Sequence, residues 1–250
     1  MPKVDLNCDM GESYGKVFSY DEIIMPNISS CNIACGFHSG DPITIEKTIN
    51  LALEHGVAIG AHPGFPDLQG FGRREMLMHP KDLEANVRYQ VSALKGITEA
   101  LGGKLHHVKP HGALYNAAAK SYEVAEAVLR GISSVDDSIW VFGLAQSKME
   151  EKILEFGLPY QSEVFADRKY EDDLQLRSRL LEGAVLHDEQ VVLQQIEHMV
   201  LNAQVETVSG ALKPIKADSI CLHSDTQGAA DLSKAIHDFL ISKGVEITAA

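Results

Sequence analysis

Apolar residues recur along this chain in short runs, and each run ends in a polar turn marked by glycine or proline before a stretch of helical spacing begins. The runs predict strands at residues 4–8, 28–34, 57–61, 138–142, 159–165 and 217–222, with a further short strand carried by Leu105 and Val108. Between them, apolar positions at helical intervals predict helices. One starts at Pro42, capped by Asp41, with Ile43, Ile45, Ile49, Ala52 and Leu53 on its apolar face. Others span residues 80–101, with Leu83, Val87, Val91 and Leu94 recurring, then 113–129, 146–156, 189–201 and 228–240. Residues 207–213 read as an additional strand limited by Gly210 and Pro214.

Strands alternating with helices in this way define an α/β protein, either a β/α barrel or a large open sheet. The distinctive polar residues follow many different strands, as when a site is assembled at one end of a barrel; an open sheet concentrates them near one switch point. A barrel is therefore expected. No proline- or serine-rich linker and no low-complexity block interrupts the pattern, so residues 1–250 read as a single domain.

Composition narrows the function. A formal charge of -13, from 22 basic against 35 acidic residues, argues against a general nucleic-acid or anionic-membrane surface. No run is long and apolar enough for a membrane span, and the amino terminus enters a polar motif without the apolar stretch of a signal peptide. Cys8, Cys31, Cys35 and Cys221 lack the paired spacing of a zinc or disulfide framework. They read as reduced thiols of a cytoplasmic protein, with Cys8 and Cys221 on buried strands.

The richest chemistry lies in Lys104-Leu-His-His-Val-Lys-Pro-His-Gly-Ala-Leu-Tyr-Asn116. Pro110 takes the chain out of the strand and Gly112 lets it bend toward a helix, so Lys109 and His111, two positions apart, are expected to converge on one mouth, with Asn116 beside them. Lys109 suits the stabilisation of negative charge and His111 suits proton transfer. His106 and His107 alternate in direction and do not share a pocket. Asp5, Asn7 and Asp9 share a side of the first strand, where an acid can orient a water or protonate a leaving nitrogen; Glu12 reads equally as a loop cap. Asn32, His38 and Asp41 follow the second strand, and capping accounts for Asp41. His62, Asp67, Arg73 and Arg74 follow the third, where an arginine can grip a carboxylate; Phe65 and Phe71 read as cover for the barrel end. Asp167, Arg168 and Lys169, then His223 and Asp225, bring acids and cations to the last two strand ends. These groups permit a divalent metal, its identity unknown. The lack of a His-Glu-x-x-His helix and the interruption of the His107/His111 spacing by Pro110 make metal the lesser reading. Neither a Gly-x-x-x-x-Gly-Lys-Ser/Thr loop nor a Gly-x-Gly-x-x-Gly fingerprint is present, which argues against a P-loop ATPase or a nicotinamide oxidoreductase.

Several motifs together carry a resemblance. Asp5-Leu-Asn-Cys-Asp-Met-Gly-Glu12, Asn32-Ile-Ala-Cys-Gly-Phe-His38, Gly60-Ala-His-Pro-Gly-Phe-Pro-Asp67, Gly70-Phe-Gly-Arg-Arg74, Val108-Lys-Pro-His-Gly-Ala-Leu-Tyr-Asn116, Glu163-Val-Phe-Ala-Asp-Arg168 and His223-Ser-Asp225 resemble the LamB/YcsF family, which is associated with the A component of bacterial ATP-hydrolysing 5-oxoprolinase. The resemblance spans nearly the whole chain. It implies a seven-stranded β/α barrel of the glycoside hydrolase/deacetylase type. It further implies ATP-dependent opening of 5-oxo-L-proline to L-glutamate together with separate B and C subunits. It carries Asp9, Asn32, His38, His62, Lys109, His111, Asp167, Arg168, His223 and Asp225 into the site without assigning each a role. Ser39, Lys169, the Arg177-Ser-Arg-Leu180 segment and Ser224 depart from the family wording, which bears on pocket dimensions and the later loop more than on the fold.

On residues and resemblance together, the expected catalytic set is Asp9, His38, His62, Lys109 and His111. Asn7, Asn32, Arg73, Asp167, Arg168, His223 and Asp225 are expected to bind substrate. ATP in the assembled complex is the expected cofactor. Two other readings stand beside this one: a metal-dependent amidase or carbohydrate deacetylase, and a non-catalytic substrate-binding or regulatory module.

Overall fold

The structure, a computed structural model, describes residues 1–13, 20–224 and 228–250. Tyr14 and Gly15 of the first polar loop, and Asp225 and Thr226 near the last predicted strand end, lie outside the described residues.

Six strands follow in order, each parallel to and paired with the next: β1 (Lys3–Met10), β2 (Ser30–Ala34), β3 (Ala58–His62), β4 (Leu105–Val108), β5 (Trp140–Leu144) and β6 (Tyr160–Phe165). A short antiparallel hairpin, β7 (Gln204–Glu206) and β8 (Leu212–Pro214), precedes β9 (Ser219–Leu222). β9 pairs in parallel with β6 on one side and with β1 on the other, so β1 to β6 and β9 close a seven-stranded parallel barrel. A two-residue strand, β10 (Glu246–Ile247), extends the start of β1.

Eight α-helices lie among the described residues: α1 (Asp21–Ile24), α2 (Pro42–His55), α3 (Pro80–Ala100), α4 (Gly112–Lys120), α5 (Tyr122–Ser133), α6 (Lys148–Phe156), α7 (Glu189–Leu201) and α8 (Ala229–Ser242). The punctuation of α2 follows its sequence. Asp41 accepts from the amides of Ile43 and Thr44, Pro42 opens the helix, and Gly56 closes it in the left-handed conformation. Its buried face is Ile45, Ile49 and Ala52, whereas Ile43 and Leu53 turn to solvent. On α3, Leu83, Val87, Val91 and Leu94 are all buried, each contributing about 1.5–3 kcal/mol of transfer free energy.

Two expectations change. The helix predicted over 113–129 is two helices, because Ser121 is extended and its hydroxyl accepts from the amide of Val124, capping α5. The strand predicted over 207–213 is mainly the turn of the β7–β8 hairpin, whose strands flank Gly210.

Alternation along β1 sorts the interior. Leu6, Cys8 and Met10 join the apolar layer beneath the helices, with Ile33, Ala61, Val108, Val141, Val164, Ile220 and Leu222. Asp5, Asn7 and Asp9 take the other parity, and their partners lie across the barrel on other strands. The barrel interior is thus a column of polar groups with an apolar jacket outside it. His107 fills part of that column, stacked on Phe142 with 4.1 Å between ring centroids. A Cβ added at Gly60 would stand 2.1 Å from its Nε2. Gly60→Ala is therefore expected to destabilise the fold by about 1–3 kcal/mol, read as a lowered urea midpoint at unchanged slope. A midpoint equal to that of the parent would show that the His107 ring can move aside.

Candidate active site

Polar residues fill the barrel in tiers. At the lowest, Asp5 accepts from Ser29, Ser30 and Ser219 at 2.6, 2.6 and 2.5 Å. Burial raises this carboxyl despite those three donors. One tier up, the hydrogen bonds run in a single direction. His107 Nε2 donates to Asn32 Oδ1 at 2.8 Å, and Asn32 Nδ2 donates to Asn7 Oδ1 and Asp9 Oδ1. Asn7 Nδ2 in turn donates to Glu163 Oε1 and Ser219 Oγ. Burial pushes the His107 ring far down, so it is a neutral donor. His106 Nδ1 lies 3.2 Å from His107 Nδ1, and its Nε2 meets the carbonyl of Ala250.

The upper tier is ionic. Lys109 is fully buried, and its Nζ lies 3.0 Å from Asp9 Oδ1, 2.9 Å from Glu163 Oε1, 3.0 Å from Asn7 Oδ1 and 2.9 Å from Cys221 Sγ. Burial alone would lower its pKa. Asp9 and Glu163 outweigh burial and hold the ammonium well above the ordinary lysine value. Burial would likewise raise Asp9, but its cationic neighbours, His62 when protonated and Lys109, outweigh it and hold the carboxyl well below its ordinary value.

Three imidazoles gather beside Asp9. His62 ends β3, His111 follows the Lys109-Pro110 turn, and His38 follows β2. His62 Nδ1 donates to the Lys109 carbonyl at 2.7 Å, and His111 Nε2 donates to the Phe71 carbonyl at 2.8 Å. A carbonyl can only accept, so in the neutral rings the protons sit on these atoms and the opposite nitrogens are bare. Those bare nitrogens, His62 Nε2 and His111 Nδ1, lie 3.0 Å apart. Asp9 Oδ2 is 3.3 Å from the first, and Glu12 Oε1 is 3.0 Å from the second. His38 stacks on His111 at 3.7 Å with an interplanar angle of 3°, and its Nε2 meets Glu12 Oε1 at 3.0 Å. Burial pushes His38 down to about 3, so it is neutral.

The loop that aims His111 is strained. Phe71, a non-glycine residue, holds φ of 54°, and Gly72 follows at 61°. A Cβ at Gly72 would press on both His38 and His111. Gly112, with φ of 50°, brings its own backbone close to the Gly72 carbonyl. Phe71 packs edge-on against both rings, and Phe65 is buried.

Above the floor opens a cavity of about 630 Å³. Asp9, His62, Lys109, His111 and His223 line it, with Asn116, Tyr115 and Phe165, below a basic rim of Arg73, Arg74, Lys120, Arg168, Arg177 and Arg179. His223 Nδ1 meets Asp167 at 3.0 and 3.1 Å from the two carboxylate oxygens, and its ring stacks on Phe165. Burial and Arg179 lower Arg168 to about 10, still a cation near neutral pH.

The structure therefore brings Asp9, His62, Lys109, His111, Arg73, Arg168 and His223 to one cavity. His38 stands behind His111, Asp167 behind His223, and Asn7 and Asn32 lie lower in the barrel, outside the lining. Asp225 lies outside the described residues. Asp67 is engaged by Arg74 as an ion pair, and Asp41 is a cap. Glu12, Glu163 and Cys221 complete the ionic tier without having been singled out for the site. For Glu163 and Cys221 the available signal was parity with Phe165 and His223. Ser224 ties its hydroxyl to the Asp9 carbonyl at 2.7 Å, and Ser39 ties to the Ser13 carbonyl, so these two departures fasten loop ends.

Fold and site together define a parallel β/α barrel whose interior is polar and whose strand ends carry a charged cavity. The chain belongs to the LamB/YcsF family, which it matches over residues 4–250. It is 46% identical over 249 residues to the A component of the 5-oxoprolinase of Geobacillus thermodenitrificans, covering 100% of this chain and 97% of the relative. It superposes on the crystal structure of a lactam utilization protein from Thermus thermophilus with a TM-score of 0.93 and 41% identity, covering 99% and 100% of the two chains. The catalytic domain of a peptidoglycan N-acetylglucosamine deacetylase from Eubacterium rectale shares the fold alone, at a TM-score of 0.53 and 10% identity, with 100% and 88% covered. No helix among the described residues is long and apolar enough to cross a membrane.

Lys109 neutralises the buried carboxylates of Asp9 and Glu163. Lys109→Met is expected to cost about 3–5 kcal/mol in chemical denaturation near pH 7. Adding Glu163→Gln to that variant removes one unpaired charge and should recover about 0.5–3 kcal/mol; strictly additive losses would show that the pair is not coupled. The lowered Asp9 and Glu12 carboxyls stabilise the fold above the ordinary carboxyl range. That contribution is lost as the pH falls through their lowered values.

Proposed function

We propose that this chain is the A component of an ATP-dependent 5-oxoprolinase, opening the lactam of 5-oxo-L-proline to L-glutamate together with B and C subunits. One observation carries the reading in a chain of this family. A cavity sets a fixed ammonium, a carboxylate and two bare imidazole nitrogens on its floor, beneath a basic rim.

Opening the ring asks three things of the residues. The substrate carboxylate needs a cation that can hold it in a defined orientation, and Arg73 and Arg168 at the rim supply planar guanidinium groups for that purpose. A water must lose a proton as it attacks, and Asp9 with the bare nitrogens of His62 and His111 forms the basic wall where it does so. Charge that gathers on the lactam carbonyl oxygen and the phosphoryl group it carries is offset by Lys109, whose ammonium needs no reorganisation because its neighbours already fix it. His223, oriented by Asp167, lines the same cavity and is placed to bind the substrate or return a proton to the departing nitrogen. His38 supports His111 through their stacked rings, and Asn7 and Asn32 hold Asp9 and Lys109 in register from below. ATP, used by the assembled complex, supplies activation of the lactam oxygen by phosphoryl transfer.

The convergence of His62, His111 and Glu12 favours a second reading, a metal-dependent amidase or carbohydrate deacetylase, which requires turnover without ATP. In a third, the chain binds substrate while its partners make and break the bonds. Reconstitution separates the three. Glutamate is expected to form from 5-oxoproline and ATP only when this chain, B and C are all present. His111→Asn, with its circular dichroism unchanged, should lower kcat by about 10²-fold or more. Turnover by B and C that this chain does not alter would remove it from the chemistry, and amide hydrolysis by the chain without ATP would favour the second reading.

A further inference from the structure

Beside the cavity floor, four side chains at the ends of four separate strands offer one ligand atom each, and these atoms all lie within 4.8 Å of one another. Glu12 Oε1 stands 3.0 Å from His38 Nε2, 3.0 Å from His111 Nδ1 and 3.7 Å from His62 Nε2; the last two nitrogens are 3.0 Å apart. Corners of a tetrahedron placed about 2.0–2.1 Å from a central ion are separated by roughly 3.3 Å. The observed separations bracket that value.

Hydrogen-bond accounting points the same way. The carbonyls of Lys109 and Phe71 take the N–H groups of His62 and His111, so both rings present lone pairs to each other and to a carboxylate. Acceptors this close repel unless a positive charge lies among them. A single proton bridges one pair of acceptors and leaves the third facing lone pairs, whereas a cation among Glu12, His62 and His111 serves all three. Imidazoles whose remote N–H is fixed by a carbonyl are the usual form of metal-binding histidine. His38 does not complete the set: it lies face to face on His111, so its ring-plane lone pair runs parallel to that of His111, and its remote Nδ1 has no hydrogen-bond partner. The neighbouring set Asp9, Cys221 and His223 is different, because the Lys109 ammonium already bonds to Asp9 and Cys221 and repels a second cation.

We propose that Glu12, His62 and His111 form a binding site for one divalent transition-metal ion with its fourth position open to the cavity, zinc being the best match to two imidazoles and a carboxylate. A bound ion supplies Lewis-acid polarisation of a carbonyl at the cavity floor. His62 and His111 then hold the ion, and proton transfer from water falls to Asp9. The site stands on its own geometry and does not rest on the 5-oxoprolinase reading.

The test uses the full-length chain, stripped with a chelator, dialysed and titrated with cobalt(II). One equivalent should bind with the intense visible bands of a four-coordinate nitrogen and oxygen site, without a thiolate charge-transfer band. Zinc(II) should displace it and raise Tm. Glu12→Gln and His111→Gln should each weaken binding by at least about tenfold, whereas Cys221→Ser should leave the spectrum unchanged. Failure of the folded parent chain to take up cobalt or zinc would overturn the site, and this arm stands even if a variant misfolds. Binding unchanged in both Glu12 and His111 variants, or a thiolate band lost in Cys221→Ser, would place the ion elsewhere and overturn it equally.

Discussion

A barrel interior solvates a charge poorly, and this one keeps a lysine and several carboxylates there. Everything else about the interior follows from keeping those charges in balance. Lys109 lies among Asp9, Glu163, Asn7 and Cys221, drawn from β1, β6 and β9. Such a cluster contributes little net stability compared with apolar residues of the same volume, but removing one member leaves the others exposed to the full desolvation penalty. Its value is that the ammonium is already in place, and already charged, where a reaction can use it.

The same logic aims the imidazoles. Two backbone carbonyls, one at the end of β4 and one in the strained Phe71 turn, decide which ring nitrogens are bare. A left-handed phenylalanine costs about 1–3 kcal/mol, and here its carbonyl orients His111 while its ring packs against His38 and His111. The rigid barrel supplies position, and the loops supply direction.

Much of this was legible in the sequence because strands, turns and helices each carry a period or a punctuation mark. The alternation Asp5, Asn7, Asp9 correctly put three polar groups on one side of β1. Parity reports a side but not a height along the barrel axis, so Asn7 and Asn32 could not be separated from the cavity lining. The break at Ser121 was hidden because alanines carry helical spacing straight through it. Glu12 was ambiguous for a different reason. Its meeting with His38, His62 and His111 depends on how four strand ends come together, and no local pattern encodes that. Glu163 and Cys221 sit in apolar runs, where a lone polar residue is easily read as incidental.

The hydrogen bond between Ser219 and Asp5 spans 214 residues of sequence, and β1 finds one of its two barrel neighbours only in β9. During synthesis the first strand leaves the ribosome long before that neighbour exists. Its carboxylates must stay hydrated until nearly the whole chain has emerged, since burying them earlier would strand charge without a partner. Long-range closure of this kind is slow and leaves strand edges open in the meantime.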